Sequence, residues 1–170
     1  MQEEMKTEIG EYLVGAYLKI VKGCDFVDYN VRHPGGGLKG LNEIDVIGLD
    51  FKKKIAYLCE VTTHIGGLAY GKGYRDTVNR IKKKYKNLQD YALNHLGDFQ
   101  PEFMFCSPVV PSGIAEELNK IEGLKLIINE DYSECINELR KKAGERSNDE
   151  GNPAFRLLQI LEHMRKPKNL

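Results

Sequence analysis

The stretch NEIDVIGLDFKKKIAYLCEVTTH, from Asn42 to His64, sets two runs rich in β-branched and aromatic residues on either side of three lysines. NEIDVIGLD and IAYLCEVTT read as strands and Lys52 to Lys54 as a charged turn, so the two runs pair as an antiparallel hairpin. This feature constrains the chain most, because a hairpin's register decides which side chains share a face. Two-residue alternation puts Ile55, Tyr57, Cys59 and Val61 on one face of the second strand. Leu58, Glu60 and Thr62 lie on the other. Closing the hairpin around the lysines brings Asp45 and Glu60 to the same end of the sheet. An unpaired carboxylate in an apolar sheet costs about several kcal/mol, so the pair calls for a cation or a hydrogen-bond network.

Around this hairpin the pattern is regular. Ile9, Leu13, Ala16, Tyr17 and Ile20 recur at helical spacing, and Gly23 is placed to stop that helix. DFVDYNVRH alternates as a first strand, and HPGGGLKG is a flexible connection. After the hairpin, the glycine-rich HIGGLAYGKG leads into a helix over YRDTVNRIKKKYKNLQDYALNHL, with Val78, Ile81, Tyr85, Leu88 and Ala92 as its apolar stripe. EFMFCSPVV reads as a buried central strand, IAEELNKI as helix, LKLIIN as strand and SECINELRKKA as helix. One helix, a three-strand meander and then alternating helix and strand predict an α/β fold, a mixed central sheet flanked by helices on both faces. Residues 1–144 form that domain, 145–152 a polar, mobile linker and 153–170 an extra C-terminal helix. The apolar face of that helix, with Phe155, Leu158 and Leu161, docks on its own domain or, as the sharper alternative, on a second subunit in a homodimer.

Charge and cysteine usage narrow the function classes. Lysine plus arginine equals aspartate plus glutamate at 25 each in 170 residues, so a uniformly basic nucleic-acid coat is excluded and any polyanion site must come from local clustering. No segment is long and apolar enough for a membrane span and the start is no signal peptide, so the expected location is cytoplasmic. Cys24, Cys59, Cys106 and Cys135 are dispersed, as are His33, His64, His95 and His163; buried reduced thiols are expected, and no zinc spacing occurs.

Asp45 and Glu60, completed by a main-chain carbonyl, suit a hard divalent cation such as magnesium, which takes oxygen ligands and keeps several waters. Such a cation polarises a phosphodiester oxygen. A third carboxylate from the first helix, Glu11 by preference or Glu8, would bind a second metal or orient the water. The ordinary alternative is a pair of strand-end acids satisfied by nearby lysines, with Glu11 a plain surface residue.

GEYLVGAYLKIVKG, YNVR, NEID and CEVT, in that order and close spacing, resemble the PD-(D/E)XK nuclease superfamily, the restriction-endonuclease-like fold, and within it small Holliday-junction-resolvase-like bacterial members. The resemblance covers roughly residues 8 to 96. It implies that Asp45 and Glu60 are metal ligands, that Glu11 is the helical acid and that the carbonyl of Val61 faces the metal. It also implies magnesium, with manganese as substitute, and a metal-dependent endonuclease acting on DNA. The chain departs from the pattern at Thr62, where such nucleases carry lysine. A neutral hydroxyl cannot supply the lysine's charge to a scissile phosphate. Lys84, on the following helix whose Ile81, Tyr85 and Leu88 turn inward, is the first candidate replacement, and Lys72 the second.

The segment after the hairpin carries Lys72, Arg75, Arg80, Lys82, Lys83, Lys84 and Lys86 against one acid, Asp76. Such a run is ordinarily a solvated helix face; beside a metal site it can track phosphates, with Arg32, Lys39 and Gly35 to Gly37 on the opposite rim. Tyr70, Tyr74 and Tyr85 read as packing residues. Three functions suit these residues: a metal-dependent DNA nuclease; a catalytically inactive nuclease fold that binds nucleic acid or a protein partner; and an interaction protein that assembles through its C-terminal helix.

Overall fold

The computed structural model describes residues 6–34 and 43–165. Its elements are α1 (Ile9–Ala16), a π-helical continuation over Tyr17–Lys22, β1 (Phe26–Arg32), β2 (Glu43–Asp50), β3 (Ile55–Val61) and α2 (Tyr74–His95). These are followed by β4 (Gln100–Ser107), α3 (Ser112–Leu118), β5 (Leu124–Ile128), α4 (Asn129–Glu145) and α5 (Pro153–Arg165). The strands form one five-stranded sheet in the order β1-β2-β3-β4-β5. β1, β2 and β3 are antiparallel; β3, β4 and β5 are parallel, so the sheet is mixed.

The hairpin closes as its sequence requires. Val46 pairs with Cys59 and Asp50 with Ile55, a register that leaves Asp45 and Glu60 opposite one another just past the ladder's end. Gly23 ends the first helix with φ of 78°, a left-handed conformation that costs glycine little.

Helices cover both faces. Val14 and Leu18 from the first helix and Tyr132 from α4 bury Val46, Tyr57, Cys59, Met104, Cys106 and Ile127 on one side. On the other, Val78, Ile81, Ile114 and Leu118 of α2 and α3 pack on Phe105 and Ile128. Leu88 and Ala92 of α2 pack on Ala56 and Leu58. All four cysteines are free thiols, three of them buried.

α5 folds back on its own domain. Phe155 is fully buried against Ala16, Leu139 and Ala143, joining α1, α4 and α5 in an outer layer. The polar segment before it, expected as a mobile linker, is hydrogen-bonded instead. Gln159 Nε2 donates to the carbonyls of Arg146 and Asn148, and Asn152 Nδ2 donates to the Tyr12 carbonyl at 2.8 Å and the Tyr29 hydroxyl at 3.1 Å. Its asparagines and glycines thus serve as turn and cap chemistry, and its polarity reflects hydrogen bonding to α1 and α5. Among the described residues no helix is long and apolar enough to cross a membrane.

Candidate active site

At the end of the β2–β3 hairpin, α1 arrives from one face of the sheet and α2 from the other. Between them lies a cleft of about 310 Å³ lined by Glu8, Glu11, Asp45, Glu60, Val61, Thr62, Thr63, His64, Tyr70 and Lys84. Gly10 sets the depth of α1: a Cβ there would collide with the Thr63 methyl, so only glycine lets the helix start close enough to carry Glu11 into the cleft.

Asp45 is held by the backbone, its Oδ2 accepting the Val61 N–H at 2.7 Å. Glu60 Oε1 is ion-paired with the Lys84 ammonium. Glu60 Oε2 is buried with no donor in reach. Desolvation, the adjacent Asp45 charge and only partial compensation by Lys84 raise the Glu60 pKa well above the ordinary carboxylate value. Desolvation raises Asp45 too, against the opposing influence of Lys84 and the Val61 N–H. Burial disfavours the Lys84 charge, but Glu60 and Asp45 outweigh it together and raise its pKa.

Glu11 is part helix cap and part cleft wall. Its Oε2 accepts the Glu8 N–H at 3.0 Å and Asn30 Nδ2 at 3.3 Å. Burial, opposed by the Glu8 N–H and aided by Asp45, raises its pKa to about 7.

Thr62 is buried, and its Oγ1 lies 3.2 Å from the Tyr70 hydroxyl. The position where the resembled pattern has lysine is therefore occupied by a threonine–tyrosine pair, with Lys84 entering from α2.

The oxygen donors Asp45 and Glu60, with an orphaned Glu60 oxygen, fit a hard cation that takes two carboxylates and completes its shell with water. They do not make an all-protein cage: among the described residues no group of three or more His, Cys, Asp or Glu side chains is disposed to hold a metal.

The structure thus brings Glu11, Asp45, Glu60, Val61, Thr62 and Lys84 together. The basic residues divide. Arg80 lies over the Tyr70 ring, 4.3 Å from its centroid, beside the cleft. Arg75 and Lys82 instead line a separate groove between α2 and α3 with Glu117. Lys72, Lys83 and Lys86 are exposed and line neither. Arg32 pairs with Glu43 across β1 and β2 at 3.7 Å. Lys39 and Gly35 to Gly37 lie outside the described residues.

Two site residues carry no sequence signal of their own. Asn30 has φ of 53° and drops out of the β1–β2 register opposite Asp45, which frees its amide for Glu11. Asparagine's tolerance of that conformation was the available hint. Tyr70 sits in a glycine-rich loop with no periodicity to orient it.

No protein-family model matches the chain, and no curated protein matches it. A solved structure described as "Crystal Structure of Protein of Unknown Function AF1548" is similar at a TM-score of 0.49 and 16% identity, covering 91% of this chain and 95% of that one. A likeness at that level carries no argument about chemistry, so the reading of this cleft rests on its own geometry.

Proposed function

We propose that the protein is a metal-dependent nuclease that hydrolyses phosphodiester bonds in DNA, with Asp45 and Glu60 as metal ligands of the PD-(D/E)XK type. The observation that carries this reading is the Lys84 ammonium on Glu60, beside Asp45, in a cleft whose motif position holds Thr62. Magnesium, when bound by Asp45, Glu60 and the Val61 carbonyl, supplies positive charge to the phosphodiester. The remaining work falls to the chain. Lys84 offers the phosphate a cation held in place before substrate arrives. The Val61 N–H fixes the Asp45 carboxylate in orientation. Glu11, with a pKa near 7, can take or release a proton at neutral pH.

The test is incubation with linear, supercoiled, single-stranded and branched DNA, with magnesium, manganese or EDTA. Cleavage that needs metal and disappears in Asp45→Asn and Glu60→Gln supports the assignment. Either variant cutting at the wild-type rate ends it. Magnesium should also raise the melting temperature of the wild type and leave both variants unmoved, since it binds only the folded site.

A second reading, a nuclease fold that binds DNA without cutting it, draws on the same ion pair. Lys84 already neutralises the Glu60 carboxylate whose charge a metal would need. Metal-independent DNA binding with no cleavage of any substrate in the panel would select it.

A further inference from the structure

Tyr70 is fastened at every point. Its backbone N–H donates to Thr77 Oγ1 at 2.8 Å, and that hydroxyl lies 3.2 Å from the Tyr70 carbonyl. Thr77 is itself fully buried in the first turn of α2, so the loop is clamped to the helix that carries Lys84 and Arg80. The phenol oxygen meets Thr62 Oγ1 at 3.2 Å, and the ring stands nearly perpendicular to that of His64, centroid to centroid 5.5 Å. The ring face is left for Arg80, whose guanidinium carbon sits 4.3 Å from the centroid.

Arg80 has no acidic partner among the described residues, unlike Lys84 on the same side of α2. Stacking is what holds its guanidinium, and a stacked guanidinium keeps its N–H edge directed outward. That edge is a planar fork suited to two phosphate oxygens. The cleft behind it is lined by four carboxyl groups, Glu8, Glu11, Asp45 and Glu60, with one lysine. A polyanion therefore gains its first attractive contact at the rim.

We propose that Arg80, positioned by Tyr70, is the phosphate clamp of this cleft: it takes a backbone phosphate next to the one presented to Lys84. The inference rests on the nuclease reading for the identity of the substrate, and its own readout is binding. Tyr70 is a positioning residue, since the ring holds the guanidinium and does not touch the phosphate. The ring itself, held to α2 through Thr77, is what Arg80 lies on; the phenol's contact with Thr62 is a separate one.

The experiment is a double-variant cycle. Binding of fluorescein-labelled single-stranded and duplex oligonucleotides to the full chain is followed by anisotropy in EDTA, so that cleavage cannot interfere. Arg80→Gln should weaken binding roughly tenfold, the scale of one charge-assisted contact, and lower the slope of log affinity against log salt. Tyr70→Ala should weaken it by a similar factor. The double variant should be no weaker than either alone, because the ring acts through the arginine. Tyr70→Phe keeps the ring and should bind within about twofold of wild type on that argument. Arg80→Lys keeps the charge but loses the planar fork and should recover only part of the affinity. Unchanged melting temperatures exclude a folding defect.

Arg80→Gln binding like wild type, or losses that simply multiply in the double variant, overturn the clamp and leave the nuclease reading standing on cleavage. The coupling without cleavage by the wild type keeps the clamp and overturns the nuclease. A wild type that binds neither oligonucleotide overturns both.

Discussion

Replacing Lys84 by methionine keeps the aliphatic stem and removes the ammonium, so it isolates the charge. The Glu60 side chain is 6% exposed and the Lys84 side chain 22%, which makes this a mostly buried pair. Removing one partner of a buried pair costs about 3 to 5 kcal/mol when the other stays charged. Partial exposure of the lysine and the option of protonating Glu60 reduce that figure, and we expect about 2 kcal/mol at pH 8. The loss should depend on pH in a defined direction. The folded-state pKa of Glu60 lies above its unfolded value, for desolvation and Asp45 raise it, so the folded protein binds more protons than the unfolded chain in the window between them. Stability therefore falls as pH rises through that window. Without Lys84 the window extends upward, since the main compensating cation is gone. At pH 5.5 the variant should lie closer to wild type than at pH 8, because the raised Glu60 pKa leaves less charge to strand as pH falls. The chain has no tryptophan, so urea unfolding is best followed by far-UV circular dichroism. A loss equal at both pH values, or larger at pH 5.5, would refute the charge argument and assign the cost to packing. If the nuclease reading holds, the same variant should cut about two orders of magnitude more slowly while its DNA affinity changes only a few-fold.

Glu11→Gln should flatten part of the pH dependence of stability: a carboxyl raised from 4.5 to about 7 in the fold contributes most below the lower value and loses that contribution as pH rises through the upper. The variant should gain roughly 1 to 3 kcal/mol over wild type at pH 8 relative to pH 5, read from urea curves at both. Phe155→Ala removes a fully buried ring between α1, α4 and α5 and should cost about 3 to 5 kcal/mol in the same single unfolding transition. A separate, earlier transition would show that α5 is an independent element. Thr62→Lys in the Lys84→Met background should partly restore the cleavage rate by returning a cation beside Glu60.

What was legible in the sequence was whatever periodicity dictates. The β2–β3 register, the shared face of Leu58, Glu60 and Thr62, and the inward stripe of Val78, Ile81 and Leu88 all follow from a two-residue or 3.6-residue repeat, whereas Lys84 is singled out by the family resemblance together with the inward turn of that helix. The basic run on α2 reads as one track in the sequence, yet Arg80 and Lys82 are separated by about 200° around a helix, so Arg80 lies on the Tyr70 ring while Lys82 lines the α2–α3 groove. Tyr70 was out of reach for another reason: its position depends on the Thr77 hydroxyl closing an eight-residue span, and side-chain to backbone bonds in loops leave no repeat to detect. The polar run after α4 resembled a linker because linkers and hydrogen-bonded turns draw on the same residues.

The cost of the site explains why it is worth testing as a site. A leucine at position 84 would extend the stripe of Val78, Ile81 and Leu88, and apolar partners at 45 and 60 would close the hairpin end without stranding an oxygen. Replacing a buried ion pair by packed apolar side chains is commonly neutral or stabilising. The chain instead holds two acids with raised pKa values, a half-buried lysine, an orphaned carboxylate oxygen and a third acid carried in by a helix that only glycine lets approach. Folding accounts for none of these together; on the proposed reading, the Asp45 and Glu60 carboxylates would hold a cation and Lys84 would offer its charge to a phosphate.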